Sequence, residues 1–486
     1  MRKSVCAVAA LLIFCVCAGA QNPPTSFMLD NHVYGYRFNP AFIPEKSFFS
    51  IAIGNVNPNF SSGIGLSTLI HPTDDGLVTG LNSAIPAETF LSGISKMNPI
   101  DLGFDENVLA VGFRGKKGGY STFEVNAHID AAINIPYSLF AFLKSNGQPT
   151  YDLSGFDVGA NACAELTYGF AKSFRDKFAF GFRVHGIVGL ASLAFDLRKA
   201  QITMDSENIA VSTDAGMLAA CTFMETATTE SQYDPACSDV YEFKSFKYDF
   251  KKLRPSGYGA TLDFGAMYEP VRGLEIHLAV TNLGVMAWNY NIAGNTDAEA
   301  VYQGEEFSPE TEEGDSEFGE EINAMMKSVN SLAEFHEAEA PGYTCTLSPF
   351  RVNAAVKYRM PFWRRLMVGA MGTYRYSNVV KSYDARGALT VTPLDWISLT
   401  ANAGYSTYGF IYGGALSLNA GPVALYASMD GYAGKMAKWI PDPEQPKAVI
   451  KYPVDKFSMN FSFGLLFQFG KRVASKYNRH TEIEAE

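Results

Sequence analysis

Between Phe457 and Gly470 a large apolar side chain occupies every second position. Phe457, Met459, Phe461, Phe463, Leu465, Phe467 and Phe469 alternate with Ser458, Asn460, Ser462, Gly464, Leu466, Gln468 and Gly470. Successive side chains of a strand point to opposite faces, so this stretch has one greasy face and one small or polar face. A soluble sandwich uses similar strands, because its core face is also apolar. Here the pattern recurs through the chain and follows a secretory leader. Together these features predict an all-β fold: a transmembrane antiparallel β-barrel of about 14 strands, greasy face toward lipid.

The leader consists of Met1-Arg2-Lys3, an apolar run from Val5 to Cys17, and Ala18-Gly19-Ala20. A charged start, a short apolar core and an A-x-A site predict a signal peptide over 1–20, cleaved after Ala20. The run is too short to span a bilayer as a helix, and no later apolar stretch is long enough. Cys17 lacks the small residues that precede a lipidated cysteine. Cys163, Cys221, Cys237 and Cys345 remain after cleavage. Export permits disulfides, and Cys221 and Cys237 share one expected loop, so they are a candidate pair; the alternative is free thiols. None has paired-cysteine metal spacing, and neither a metal nor a cofactor is expected.

Residues 21–45 carry turn residues without alternation and are expected to tuck in at the periplasmic end as a plug. Phe27, Met28, Leu29, Asn39, Pro40 and Ala41 fall in that plug region. The barrel is expected over 46–470, with a polar tail over 471–486. Alternation places strands at about 46–56, 107–115, 120–130, 156–171, 178 to past 193, and 258–268. Further strands are expected from 274, and at 350–360, 366–376, 383–392, 397–406, 410–419, 423–430 and 457–470. Short turns near 116, 175, 271, 362, 394 and 421 fall on one side, and long connections on the other. That parity fits periplasmic turns and extracellular loops. A short helix is expected around Pro86–Ile94, and a protruding hairpin over Tyr241–Phe250. The loop 295–340 holds fourteen acidic residues and one base, Lys327. Ile322, Met325, Met326, Val329 and Leu332 recur there at helical spacing. A solvated acidic loop and a surface for calcium or a partner are both open readings, although no EF-hand spacing is present.

Nucleophile elbows, phosphate-binding loops, HExxH and zinc spacings are absent from the sequence, so no catalytic residues and no enzyme activity are expected. What remains is a set of ionisable residues opposite the greasy positions. Glu124, His128, Asp130, Asp157 and Glu165 come from strands three and four. Arg183, His185, Asp263, Glu275 and His277 come from strands five to seven. Arg351, Lys357, Arg359 and Arg375, with Asp384 and Arg386, come from strands eight to ten. A lysine or arginine on the lipid face costs roughly 2–4 kcal/mol at mid-bilayer, which places this set in the lumen. There it either pairs structurally, holding an inserted segment, or lines a substrate pathway.

Asn39-Pro40-Ala41 before the first strand, about fourteen strands, and Val280-Thr281-Asn282-Leu283-Gly284 at a strand end resemble long-chain fatty-acid transporter (FadL-type) barrels. More narrowly, the chain resembles an uncharacterised Bacteroidetes family of outer-membrane barrels. The resemblance implies an N-terminal plug and a hydrophobic path for small molecules crossing the outer membrane of a Gram-negative bacterium. It also includes secretion-associated barrels, and the long outer loops, chiefly 295–340, leave open a rival: a non-transporting surface scaffold or adhesin working through them. The acidic loop and the polar tail depart from the resemblance. Expected partners are membrane lipid, a small hydrophobic ligand or a surface protein, and not nucleic acid; the oligomeric state is left open.

Overall fold

The computed structural model describes residues 24–470, except 31, 74–75, 83, 116–117, 145–149, 175–176, 205–207, 232–237, 243–244, 304–333, 432–435, 440–449 and 454–455. Fourteen antiparallel strands close into one barrel. Strand β1 comes in two parts, Ser47–Ile51 and Val56–Ser62. It is followed by β2 (Met97–Arg114), β3 (Gly119–Pro136), β4 (Asp157–Phe174), β5 (Phe178–Met204), β6 (Gly257–Tyr268) and β7 (Leu274–Tyr290). Strand β8 also has two parts, Gly342–Leu347 and Phe350–Arg359. Then come β9 (Leu366–Tyr376), β10 (Lys381–Leu394), β11 (Ile397–Ser406), β12 (Gly409–Ala420), β13 (Val423–Gly431) and β14 (Phe457–Phe469). The last strand pairs with the first, Ser47 opposite Phe469 and Asn59 opposite Asn460.

Closure removes the sheet edge, so the wall satisfies its own backbone, as hydrocarbon demands. Phe461, Phe463, Phe467 and Phe469 of β14 are 37–50 % exposed, whereas Ser462, Leu466 and Gln468 between them are buried. Phe180, Phe182 and Val184 of β5 likewise face out, with Arg183 and His185 buried between them. In a two-layer soluble fold these phenylalanines would be the buried set. The greasy face is therefore a lipid face, and the inner face carries the polar groups.

Two strands run well beyond their expected ends. Residues 97–106 of β2 pair with the second part of β1 and with β3. Ile100, Leu102 and Phe104 alternate there with Asp101, Gly103 and Asp105, but so short a run next to Pro99 reads as loop. Strand β5 has 27 residues, about 90 Å at roughly 3.3 Å each, where a span needs only about 9–11. Its outer part pairs with the strand Asn208–Cys221, which in turn pairs with Ile292–Gln303. A three-stranded extension thus rises from the outer mouth where the sequence suggests loops. The hairpin expected over Tyr241–Phe250 does not form. Val240 pairs instead with His336, and Lys247–Tyr248 with Met224–Glu225. The acidic segment begins as strand through Gln303, and the helix expected at Ile322–Leu332 lies outside the described residues, as do the signal peptide and the tail. A short helix, Ala87–Ser92, buries Phe90 against Phe140, ring centroids 6.1 Å apart.

Candidate functional site: a filled lower lumen beneath an open cavity

The segment from Pro24 to Pro44 lies inside the lower barrel. Pro24–Phe27 makes one helical turn and Val33–Arg37 a 3-10 turn. So short a chain cannot build a core of its own, and it borrows the wall's. Phe27, Met28, Leu29, Asn39, Pro40 and Ala41 are all buried. Phe27 stacks on Phe38 at 4.2 Å, and the Lys357 ammonium sits 3.5 Å over the Phe27 ring while donating to the Phe27 carbonyl at 2.6 Å. Thr390 donates to the Met28 carbonyl and Asn353 to that of Phe38, both at 2.9 Å. Asp30 accepts both Arg359 nitrogens, at 2.6 and 3.0 Å, and the Thr392 hydroxyl at 2.6 Å. Thr25 bonds to Asp430 and Asn402.

Asn39-Pro40-Ala41 docks on two glycines of the wall. A Cβ at Gly181 would stand 2.0 Å from the Pro40 carbonyl oxygen, and one at Gly265 would stand 2.1 Å from Asn39 Oδ1. The backbones approach this closely only because neither wall residue has a side chain. Asn39 Nδ2 donates to the Ala266 carbonyl at 2.9 Å, and Asn39 Oδ1 accepts from Ala41 N at 2.9 Å.

Above this seat runs a continuous buried ion network. Arg37 pairs with Glu124 at 2.6 Å and reaches Asp105 at 3.6 Å. Arg183 bridges Glu124 and Asp263, both at 2.9 Å. His185 lies 2.9 Å from Glu165 and 3.0 Å from Asp263, and His128 lies 3.2 Å from Asp105 and 3.3 Å from Glu165. Strands β2 to β6 thus supply seven members and the plug supplies one arginine. Alternation makes the wall residues inward-facing, and antiparallel register brings them level. The Asp263–Arg183 cross-strand pair is one case.

The remaining sequence-selected residues fall outside that network. Glu275 pairs with His277 at 3.1 Å, beside Asn39. Arg375 crosses the lumen to Asp101 at 3.2 Å, and Arg386 holds Asp384 at 3.0 Å and Asp430 at 2.7 Å. Asp130 accepts from Asn161 at 3.2 Å. Asp157 sits at the outer end, in register with Asp196. Among the described residues Cys163, Cys221 and Cys345 are free thiols; Cys237, the candidate partner of Cys221, lies outside them. Sequence reasoning missed Asp30, Arg37, Asp101 and Asp105. Asp30 and Arg37 are ionisable groups in a segment destined for burial, which was the available signal. Asp101 and Asp105 were hidden in the unrecognised half of β2.

Over the network opens a cavity of about 480 Å³. Ile187, Met286, Trp288 and Leu193 supply apolar wall, Asp130 lies near the floor one inward position above His128, and Asp157 and Asp196 lie near the outer lip. A smaller void of about 90 Å³ separates plug from wall. His128, Glu165, Asn282 and Arg351 line both, so these four side chains form the partition between them.

Solved structures with related architecture include the Ralstonia pickettii toluene transporter TbuX, at 9 % identity and TM-score 0.42 over 93 % of this chain and 95 % of that one. A Pseudomonas aeruginosa FadL homologue gives 10 % identity and TM-score 0.41 over 90 % and 95 %. The monoaromatic hydrocarbon channel CymD gives 9 % and 0.39 over 94 % and 99 %. Likeness this distant carries no argument about what this chain does. No curated protein matches the sequence. Residues 40–430, most of the barrel, match the Family of unknown function (DUF5723), and the chain belongs to that family.

Proposed function

We propose that this protein sits in the outer membrane of a Gram-negative bacterium, passively admits small hydrophobic molecules through its plugged lumen, and catalyses no reaction. One observation carries the reading: a cavity of ligand size, its wall part apolar and part charged, ends on a four-residue partition directly above a plug. A hydrophobic solute gains roughly 25 cal/mol per Å² of apolar surface it buries there. Onward passage requires the partition or the plug beneath it to yield. Proteoliposomes containing the barrel should take up a hydrophobic fluorescent probe faster than empty vesicles. Absence of uptake, both with residues 24–44 present and with them deleted, sinks the proposal.

The three-stranded extension at the outer mouth favours a second reading, a surface protein that acts through its exterior. Removing 304–333, which leaves the paired strand Ile292–Gln303 intact, separates the two. Uptake survives the deletion under the first reading, and partner binding is lost under the second.

A further inference from the structure

We propose that the exposed run from Lys247 to Arg254 binds the phosphorylated headgroups of lipids in the outer leaflet. The inference rests on the membrane placement of the barrel and not on transport.

The run lies at the right height. Tyr258 and Tyr268 are both exposed on the lipid face of β6, ten residues apart. At about 3.4 Å per residue and a tilt near 40°, that is roughly 26 Å along the membrane normal, close to the ~25 Å apolar band of outer-membrane barrels. The two tyrosines therefore mark the two interfaces. Arg254 precedes Tyr258 by four residues, just beyond the outer interface. Hydrogen bonds tie the run to residues 222–223, at the base of the extension, and its end to the wall. Ser256 N donates to the Gly189 carbonyl at 2.7 Å, Arg254 N to the Thr222 hydroxyl at 3.0 Å, and Asp249 N to the Phe223 carbonyl at 2.8 Å.

Its chemistry suits that height. Phe250 is 69 % exposed, and Tyr248 and Leu253 are exposed beside it. Phe250 stacks on Phe223 with centroids 5.1 Å apart, which holds the ring in place at the surface. A soluble surface has no use for three large apolar side chains in six residues, but an interface accommodates ring and aliphatic ends against acyl chains. Around them stand Lys247, Lys251, Lys252 and Arg254 against two acids, Asp249 and Glu225, the latter in register opposite Lys247. Lys252 is engaged by Glu225. Lys247, Lys251 and Arg254 form no ion pair among the described residues, which leaves three cations facing outward. They stand on the same side of the membrane as residues 295–303 and 334–340, which carry Asp297, Glu299, Glu334, Glu337 and Glu339 and no lysine or arginine, so this local excess of positive charge runs against its surroundings. An anionic, phosphate-bearing lipid surface complements both the cations and the apolar ends.

The test uses full-length protein in dodecyl maltoside micelles, titrated with a diphosphorylated glycolipid (lipid A) and with the same glycolipid stripped of phosphate. Native mass spectrometry counts the lipids retained. Wild type should retain the phosphorylated form preferentially. The triple variant Lys247→Gln, Lys251→Gln, Arg254→Gln should bind it on the order of tenfold more weakly. Lys247→Arg with Lys251→Arg should restore binding, and Phe250→Ser with Leu253→Ser should weaken it. All these side chains are exposed, and probe uptake by the triple variant should match wild type, which separates this proposal from the transport reading. Equal retention of both glycolipids, undiminished binding by the triple variant, or displacement by inorganic phosphate alone would overturn it.

Discussion

The lower and upper lumen are walled by the same strands with the same alternation, yet the lower is filled and the upper is hollow. Below, every few ångströms an inward polar group meets the plug: Asp30 on Arg359, Arg37 on Glu124, the Asn39 turn on Gly181 and Gly265. Above, Asp130, Asp157 and Asp196 line open space with Trp288 and Ile187. Polar inner faces alone do not close a barrel of this width. What closes it is a second stretch of chain whose charges and backbone match the wall. Under the transport proposal the filled half holds the plug and the hollow half is where a solute would enter.

Deleting residues 24–44 should erase the contrast outright. The shortened barrel should pass a steady ion current in planar bilayers where the intact protein passes none, and an unchanged current would show that the plug is not the seal. Next in size is Glu124→Gln. It strips one charge from between Arg37 and Arg183, leaving Arg37 only Asp105 and Arg183 only Asp263, and breaking a buried pair in this way costs up to about 3–5 kcal/mol in equilibrium unfolding. Asp157→Asn, at the outer lip, should move stability by no more than about 0.5 kcal/mol. Gly181→Ala places a methyl against the Pro40 carbonyl and should cost about 1–3 kcal/mol, with the plug becoming cleavable by added protease before the wall unfolds. Ala194→Trp, in the hollow half, should slow probe uptake while leaving the unfolding midpoint in place.

A pH-dependent effect lies outside the lumen, in the turn between β6 and β7. Burial pushes the Glu269 carboxyl up to about 7 from its ordinary 4.5, although it accepts a hydrogen bond from Gly273 N at 2.7 Å. An acid raised on folding favours the native state fully below about 4.5, and that contribution is lost as pH rises through about 7. Melting curves of wild type and Glu269→Gln should therefore diverge across that window, with only wild type falling. Parallel curves would remove Glu269 as the cause.

Much of the wall was legible because lipid imposes a rule on every second residue. Strand β11 matches its expected limits, 397–406, and β9 its own, 366–376. The rule failed where the strand leaves lipid. The strand Asn208–Cys221 belongs to the extension beyond the membrane and pairs with β5 and Ile292–Gln303 rather than facing lipid, whereas Ile100, Leu102 and Phe104 of β2 do alternate with Asp101, Gly103 and Asp105, a signal too short to stand out beside Pro99. The inward residues were legible as a set but not as pairs. Arg375 finds Asp101 across the lumen, while Lys357 and Arg359 are held by the plug. Which partner each takes depends on register and on the course of a segment without periodicity.

By itself the sequence determined the sidedness of the wall: phenylalanine and leucine outward, charge inward, short turns on one face and long connections on the other. That follows from a two-residue period meeting two solvents, and it needs no knowledge of neighbours. Only the tertiary structure decided that the plug fills the lower half, that Arg37 completes a network spread over five strands, and that four side chains divide plug from cavity. Those are consequences of barrel closure, which brings residues hundreds of positions apart within 3 Å of one another, as with Asp30 and Arg359 at 2.6 Å.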